Sequence, residues 1–406
     1  MDRIAFVGGD RQVHVIRPDG SDRQQVTWAP GEVTIWGGIG GRSSRAWPTW
    51  SPDGQWLSCF QLEGGADQMA QARICVVQVD GVEERVLVEM DGQIPIYMRW
   101  NEDSRQLAAL VQDEDGLELW TVDRDNLGQQ RTVDHGSPLF FAWAPTPPYM
   151  MLHVGGSRRP GRLVLRNLGP TGEDVVFDAL PGAFSAPVFT DEHLIYATGR
   201  GWLSNVCVSD HLGQRPQILA SMEGQLSIMP SSDGQQLAIG AGPRTADGGI
   251  RRVWLAGMDG TGMRPIIDDA CQAFFWVPGR AQIIYARSAA DRRRLTWVRQ
   301  DISTGQQKTL GDFWPSRDQR FVMHFFEQYT HSHPPISSDG RFLVYSGHPA
   351  PGSHPDTSPR LWIIDLDDDD PHPRMLAEGA FGVFRPTPTA RPTARSGEID
   401  APTGHP

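Results

Sequence analysis

The sequence predicts an all-β chain, and three observations predict it. Its 406 residues include 44 Gly and 32 Pro, the residues that punctuate short strands, and too many for a helical protein. Its 14 Trp fall at regular positions. A strand–turn–strand pattern also returns along the whole chain, whereas apolar residues at helical spacing are missing. Hydrophobic residues make up 39% and charged residues 21%, enough apolar material for a sizeable core, so disorder throughout is excluded.

The pattern is clearest where Trp47-Pro48-Thr49-Trp50-Ser51-Pro52-Asp53-Gly54 leads into Trp56-Leu57-Ser58-Cys59-Phe60. It returns at Tyr97-Met98-Arg99-Trp100-Asn101-Glu102-Asp103-Ser104, at Phe140-Phe141-Ala142-Trp143 and at Ala186-Pro187-Val188-Phe189. Later copies are Met229-Pro230-Ser231-Ser232-Asp233-Gly234, Phe274-Phe275-Trp276-Val277-Pro278-Gly279 and Ile336-Ser337-Ser338-Asp339-Gly340. Aligned on Trp50, the anchors are Trp50, Trp100, Trp143, Phe189, Pro230, Trp276 and Ile336, with steps of 41 to 60 residues. Each step suits one four-stranded blade. Asp and Ser cap the tight turn through side-chain bonds to the backbone, and Gly supplies its positive φ.

The two ends supply an eighth copy. Ile4-Ala5-Phe6-Val7-Gly8 matches the strand that follows the turn, and the strand missing before it is found at Ala380-Phe381-Gly382-Val383-Phe384. Pairing of these ends closes a ring and removes exposed sheet edges. The expected fold is therefore a single closed β-propeller over 1–385, of eight four-stranded antiparallel blades, with seven as the alternative. The longest step carries an insertion from about Asp312 to Thr330, and the His331–His333 strand that follows it is expected at the inner rim of the ring, beside the central channel. The Pro/Thr/Ala-rich tail 386–406 lacks apolar residues and is expected to be disordered.

These repeats resemble the TolB-type β-propeller family, whose signature is a Trp-Ser-Pro-Asp-Gly turn between two strands. Trp50-Ser51-Pro52-Asp53-Gly54 matches in full, and Ser231-Ser232-Asp233-Gly234 and Ser337-Ser338-Asp339-Gly340 match in part; at Trp143, Phe189 and Trp276 the Asp-Gly is lost. The resemblance covers Ile4 to Phe384 and implies a protein-binding platform of bacterial type. Similar propellers gate prolyl-oligopeptidase-like peptidases, but the GxSxG nucleophile elbow of their hydrolase domain is absent from this sequence.

Net charge is −12, from 37 Lys+Arg against 49 Asp+Glu, which provides no basic face for nucleic acid. The single lysine is Lys308. Cys59, Cys75, Cys207 and Cys271 are scattered without a CxxC pair and read as buried thiols. The N-terminus enters a strand directly, with no charged leader and no apolar run of membrane-spanning length. The expected protein is a soluble cytoplasmic monomer, envelope-associated only if the N-terminus is incomplete.

Three groups of residues are candidate sites. His331 and His333 stand at i and i+2, which on a strand places both imidazoles on one face, with His324 and Glu327 as further ligands for a divalent transition metal. That segment resembles the His-rich strand of oligogalacturonate lyases, which implies metal-dependent lyase chemistry; the competing reading is imidazoles that hydrogen-bond the insertion to the ring. Trp314, Phe325, Phe326 and Tyr329 form an aromatic docking patch on the insertion. Arg42, Arg45, Arg99 and Arg385 flank anchor strands and, at one channel mouth, would receive a carboxylate or phosphate. The expected function is a non-enzymatic scaffold that binds an unidentified protein partner, with no cofactor and no catalytic residue. The alternative is a metal-dependent lyase-like, carbohydrate-binding or small-anion-binding propeller.

Overall fold

The chain was analysed as a computed structural model. It describes residues 2–28, 42–64, 69–81, 83–145, 147–155, 161–182, 185–200, 203–242, 249–289, 291, 293–350 and 358–387. The tail expected to be disordered lies outside them from residue 388 onward.

The repeat builds successive antiparallel sheets. Strands Arg42–Trp50, Trp56–Gly64, Met69–Gln78 and Glu84–Met90 form the 42–90 sheet. Strands Ile94–Trp100, Gln106–Gln112, Leu117–Asp123 and Gln130–Gly136 form the 94–136 sheet. The 139–176, 188–223 and 225–267 sheets have the same four-stranded order. A larger sheet follows through Cys271–Trp276, Gln282–Ser288, Leu295–Asp301, Gln307–Pro315, Phe342–Pro349, Arg360–Asp365 and Arg374–Phe384, then into Ile4–Gly8, Val13–Ile16 and Gln24–Gln25. Its long strand Arg374–Phe384 pairs with Arg360–Asp365 through residues 374–378 and with Ile4–Gly8 through residues 379–384, as Ile4↔Phe384 and Gly8↔Gly379. The pairing of the two ends expected from the sequence is present.

The turns form for the reason their residues suggest. At the first full motif Gly54 N donates to Ser51 O at 2.8 Å, Gln55 N donates to Asp53 Oδ1 at 2.9 Å, and Gly54 takes φ +65°. In the 94–136 sheet Ser104 occupies the glycine position at φ 63°, and Arg105 N donates to Asp103 Oδ1 at 2.8 Å.

The anchor tryptophans join sheet to sheet. Trp100 Nε1 donates to Thr49 O, Trp143 Nε1 to Arg99 O, and Trp50 Nε1 to Val383 O, each at 3.2 Å. Trp276 Nε1 donates to Met229 O at 2.9 Å. Every acceptor is the residue just before the anchor of the preceding copy. The core sits between sheet faces: Phe60, Ile74 and Leu87 pack with Met98, Trp100 and Leu107 of the next sheet.

The insertion departs from the sequence expectation. Helical spacing looked absent, yet α1 (Arg317–His324) and α2 (Phe326–Tyr329) lie there. Ser316 caps α1 by accepting from Gln319 N at 3.1 Å, with Asp318 in the first turn, the arrangement that suits a helix N-terminus. Gln319 is turned to the scaffold, where its Oε1 accepts from Ser346 N at 2.9 Å.

Candidate functional site: a helical plug where the sheets converge

Residues 316–333 touch the first strands of most of the sheets. Phe326 packs against Phe274 and Phe275, with ring centroids 5.0 and 5.8 Å apart. Tyr329 packs against Trp47 and Tyr97 at 5.5 and 4.8 Å, and its hydroxyl donates to Ile96 O at 2.7 Å. Glu327 Oε2 accepts from Ser185 Oγ at 2.7 Å and Ala186 N at 3.2 Å; Ser227 and the Ile228 backbone also donate to its carboxylate. His333 packs edge-on against Phe381 at 4.9 Å. The insertion is thus a plug at the point where the inner strands converge, beside the inner-strand residues near which the His331–His333 segment is expected, but as helices and a turn in place of the expected strand. Apolar rings drive it there: α2 is fully buried, which removes Phe326 and Tyr329 from water.

Hydroxyls satisfy much of the polar interior. Tyr97 OH donates to Gln328 O at 2.9 Å and accepts from Ser332 Oγ at 2.9 Å. His333 Nδ1 lies 2.7 Å from Ser332 Oγ and its Nε2 2.9 Å from Thr49 Oγ1. Burial pushes the His333 imidazole down to about 3. His331 is also pushed down to about 3, by burial first and then by the Arg99 charge, and its Nε2 is buried without a partner among the described residues. Burial raises Glu327 to about 7 against the pull of its four donors.

These positions revise the expected metal set. His331 and His333 lie in a turn after α2, not on one face of a strand. His324 is exposed on α1, while Glu327 and His333 are engaged by different scaffold groups. Among the described residues no group of three or more His, Cys, Asp or Glu is placed to hold a metal ion. The imidazoles do hydrogen-bond the insertion to the ring at His333.

The aromatic docking patch is divided. Phe326 and Tyr329 are 3% and 2% exposed and cannot meet a partner. Trp314 is half-buried and pairs through its backbone with His348. Phe325 is half-buried at the plug's outer end, where it lines a depression of about 620 Å³ with Trp47, Ile96, Phe321, Arg317 and Arg320.

The arginines face different partners. Arg45 is buried and paired with Glu84 at 2.7 Å. Arg99 lies 3.8 Å from Glu102. Arg385 stacks over the Trp50 ring at 5.6 Å, beside the Ser51–Gly54 turn. The Arg42 side chain lies outside the described residues.

Sequence reasoning missed Ser185, Ser227, Ser332, Thr49 and Gln328, which meet or form the plug interior. Serines and threonines of this kind carry no local signal. The helix did carry one, since Ser316 followed three residues later by Gln319 has the spacing of a capping box.

No protein-family model matches this chain, and no curated protein sequence does. Among solved structures it is similar to a eukaryotic initiation factor at 10% identity, over 95% of this chain and 98% of that one, with a TM-score of 0.52. It is similar to oligogalacturonate lyase from Vibrio parahaemolyticus at 12% identity, over 93% and 85% of the two chains, with a TM-score of 0.46. It is similar to TolB from Acinetobacter baumannii at 12% identity and a TM-score of 0.39, over 75% of this chain and only 62% of TolB. Among the described residues no helix is long and apolar enough to cross a membrane. At such identities the likeness is one of fold and reaches no further; in architecture the chain is an all-β array of four-stranded antiparallel sheets of the β-propeller type.

Proposed function

We propose that this chain is a non-enzymatic protein-binding scaffold: an eight-bladed closed propeller, its axial channel filled by its own helices, which docks a partner protein over the mouth of that channel. Five four-stranded sheets supply five blades. The large sheet supplies three more, over 271–315, over 336–378, and over 379–384 with 4–25. The bond from Trp50 to Val383 supports closure, because it repeats at the chain ends the bond that joins neighbouring copies elsewhere.

The observation that carries the functional reading is the plug itself. A reaction centre on the axis needs room for substrate beside its acid or base. Here Glu327 and His333 are buried and bonded to scaffold groups, and the rings of Tyr97, Tyr329 and Phe381 pack against His333. At the mouth, exposed Arg317 and Arg320 line one depression with Asp318 and half-buried Trp47, Phe321 and Phe325. Arginine beside aromatic anchors is the composition favoured at interface hot spots, and it suits a partner segment with acidic residues around an apolar anchor.

Affinity capture tests this with wild type beside a variant carrying Arg317→Glu, Arg320→Glu and Phe325→Ala. A partner retained by wild type and lost from the folded variant supports the reading. An unchanged set of partners contradicts it.

A further inference from the structure

We propose that the cavity between the plug and the 94–136 and 139–176 sheets binds a neutral small molecule that carries a paired hydrogen-bond donor and acceptor on an apolar body. The cavity holds about 320 Å³, within the range of small-molecule sites. Its walls come from Tyr97, Leu110 and Leu117 on one side, Leu139 and Phe140 on the other, and Phe325 of the plug. None of the residues lining it carries a charge, so an ionic ligand would lose its hydration with nothing to replace it.

Gln328 supplies the recognition element. The residue is 3% exposed and lines the cavity, yet both Nε2 and Oε1 of its side chain are buried without a hydrogen-bond partner among the described residues. Its backbone is fixed: the carbonyl accepts from Tyr97 OH at 2.9 Å, and the N–H donates to Phe325 O at 3.1 Å. The scaffold therefore holds the backbone beside the cavity, and the side-chain amide keeps its bonding capacity unspent among the described residues. Buried polar groups are nearly always paired, and an amide presents one donor edge beside one acceptor edge. The complement is a ligand with the same pair reversed, such as a carboxamide or a lactam. The rest of the ligand meets aliphatic and aromatic walls, which favour a ring or a short hydrocarbon.

Fluorine NMR with 4-fluorobenzamide and 4-fluorotoluene tests the assignment on the full chain. These probes share a ring and differ in the amide. Wild type is expected to bind the amide about tenfold more tightly, the worth of a pair of hydrogen bonds. Gln328→Met keeps the side-chain length and should abolish that preference while still admitting 4-fluorotoluene. Leu139→Trp fills the cavity and should abolish both; if it does not fold, Leu117→Trp at the half-buried rim gives the same reading. The proposal is overturned if wild type binds neither probe, as it would if water alone satisfied Gln328. It is equally overturned if the preference survives in Gln328→Met, or if binding persists in the folded cavity-filling variant.

Discussion

Trp47 and Phe381 both lie in the left-handed backbone region, at φ 53° and 58°, and their rings stand edge to face with centroids 4.6 Å apart. Each is three residues before its anchor, Trp50 in one case and Phe384 in the other. Each also sits in a strand whose pairing register shifts there, between Ala46 and Thr49 and between the partners of Ala5 and Val7. Two side chains kept at positive φ signal strain that the surroundings impose, and here both rings are held against the plug. The last strand therefore reproduces a local distortion of the first full sheet as well as its sequence.

This relationship reverses an ordinary ranking. In a strand, glycine is normally worse than alanine. At 381 alanine keeps the positive φ that costs an L-residue about 1 kcal/mol, and glycine does not. Both variants lose the ring, at roughly 3–5 kcal/mol. Urea unfolding is expected to find Phe381→Gly at least as stable as Phe381→Ala; a clear advantage for alanine would refute the strained geometry.

Glu327 gives a pH signature. Its carboxyl rises from 4.5 unfolded to about 7 folded. Its contribution is fully present below pH 4.5 and is lost as pH rises through 7, a swing of about 3 kcal/mol. His331 and His333 act oppositely: their folded values fall to about 3 from 6.5, so their contribution is present above pH 6.5 and is lost as pH falls toward 3. The unfolding free energy of Glu327→Gln, relative to wild type, should therefore improve by about 3 kcal/mol from pH 4.5 to 7.5. A difference independent of pH would show that Glu327 is not buried as described.

The thiols should be silent in the native protein. All four cysteines are buried and free, and burial pushes Cys59 and Cys271 up to about 12. Thiolate is the reactive form, so a thiol reagent such as Ellman's should report close to none in native buffer and four per chain in denaturant. Rapid labelling of Cys59, Cys75 or Cys271 without denaturant would contradict the packing between sheets.

The repeat was legible because its cause is local. Ser51, Asp53 and Gly54 build their turn by bonds within a few residues, and the Trp spacing follows from one sheet per copy. The pairing of Ile4 with Phe384 was legible as a missing strand at one end matched by a spare one at the other. The plug was not legible as a plug. Short helices leave little periodicity, and His331 and His333, spaced two apart, imitate a strand face. What fixes them is burial among Tyr97, Thr49 and Phe381, residues brought from distant parts of the chain. The same holds for Arg45, whose partner Glu84 lies on another strand of its sheet.

Hydrogen exchange on the complex with a captured partner tests the central claim, that the mouth of the plugged channel is where this propeller binds. Exchange is expected to slow over residues 317–325 and 94–97 and to stay unchanged at the outer strands Val175–Val176 and Gln217–Glu223. Slowing at those outer strands, with 317–325 unaffected, would contradict it.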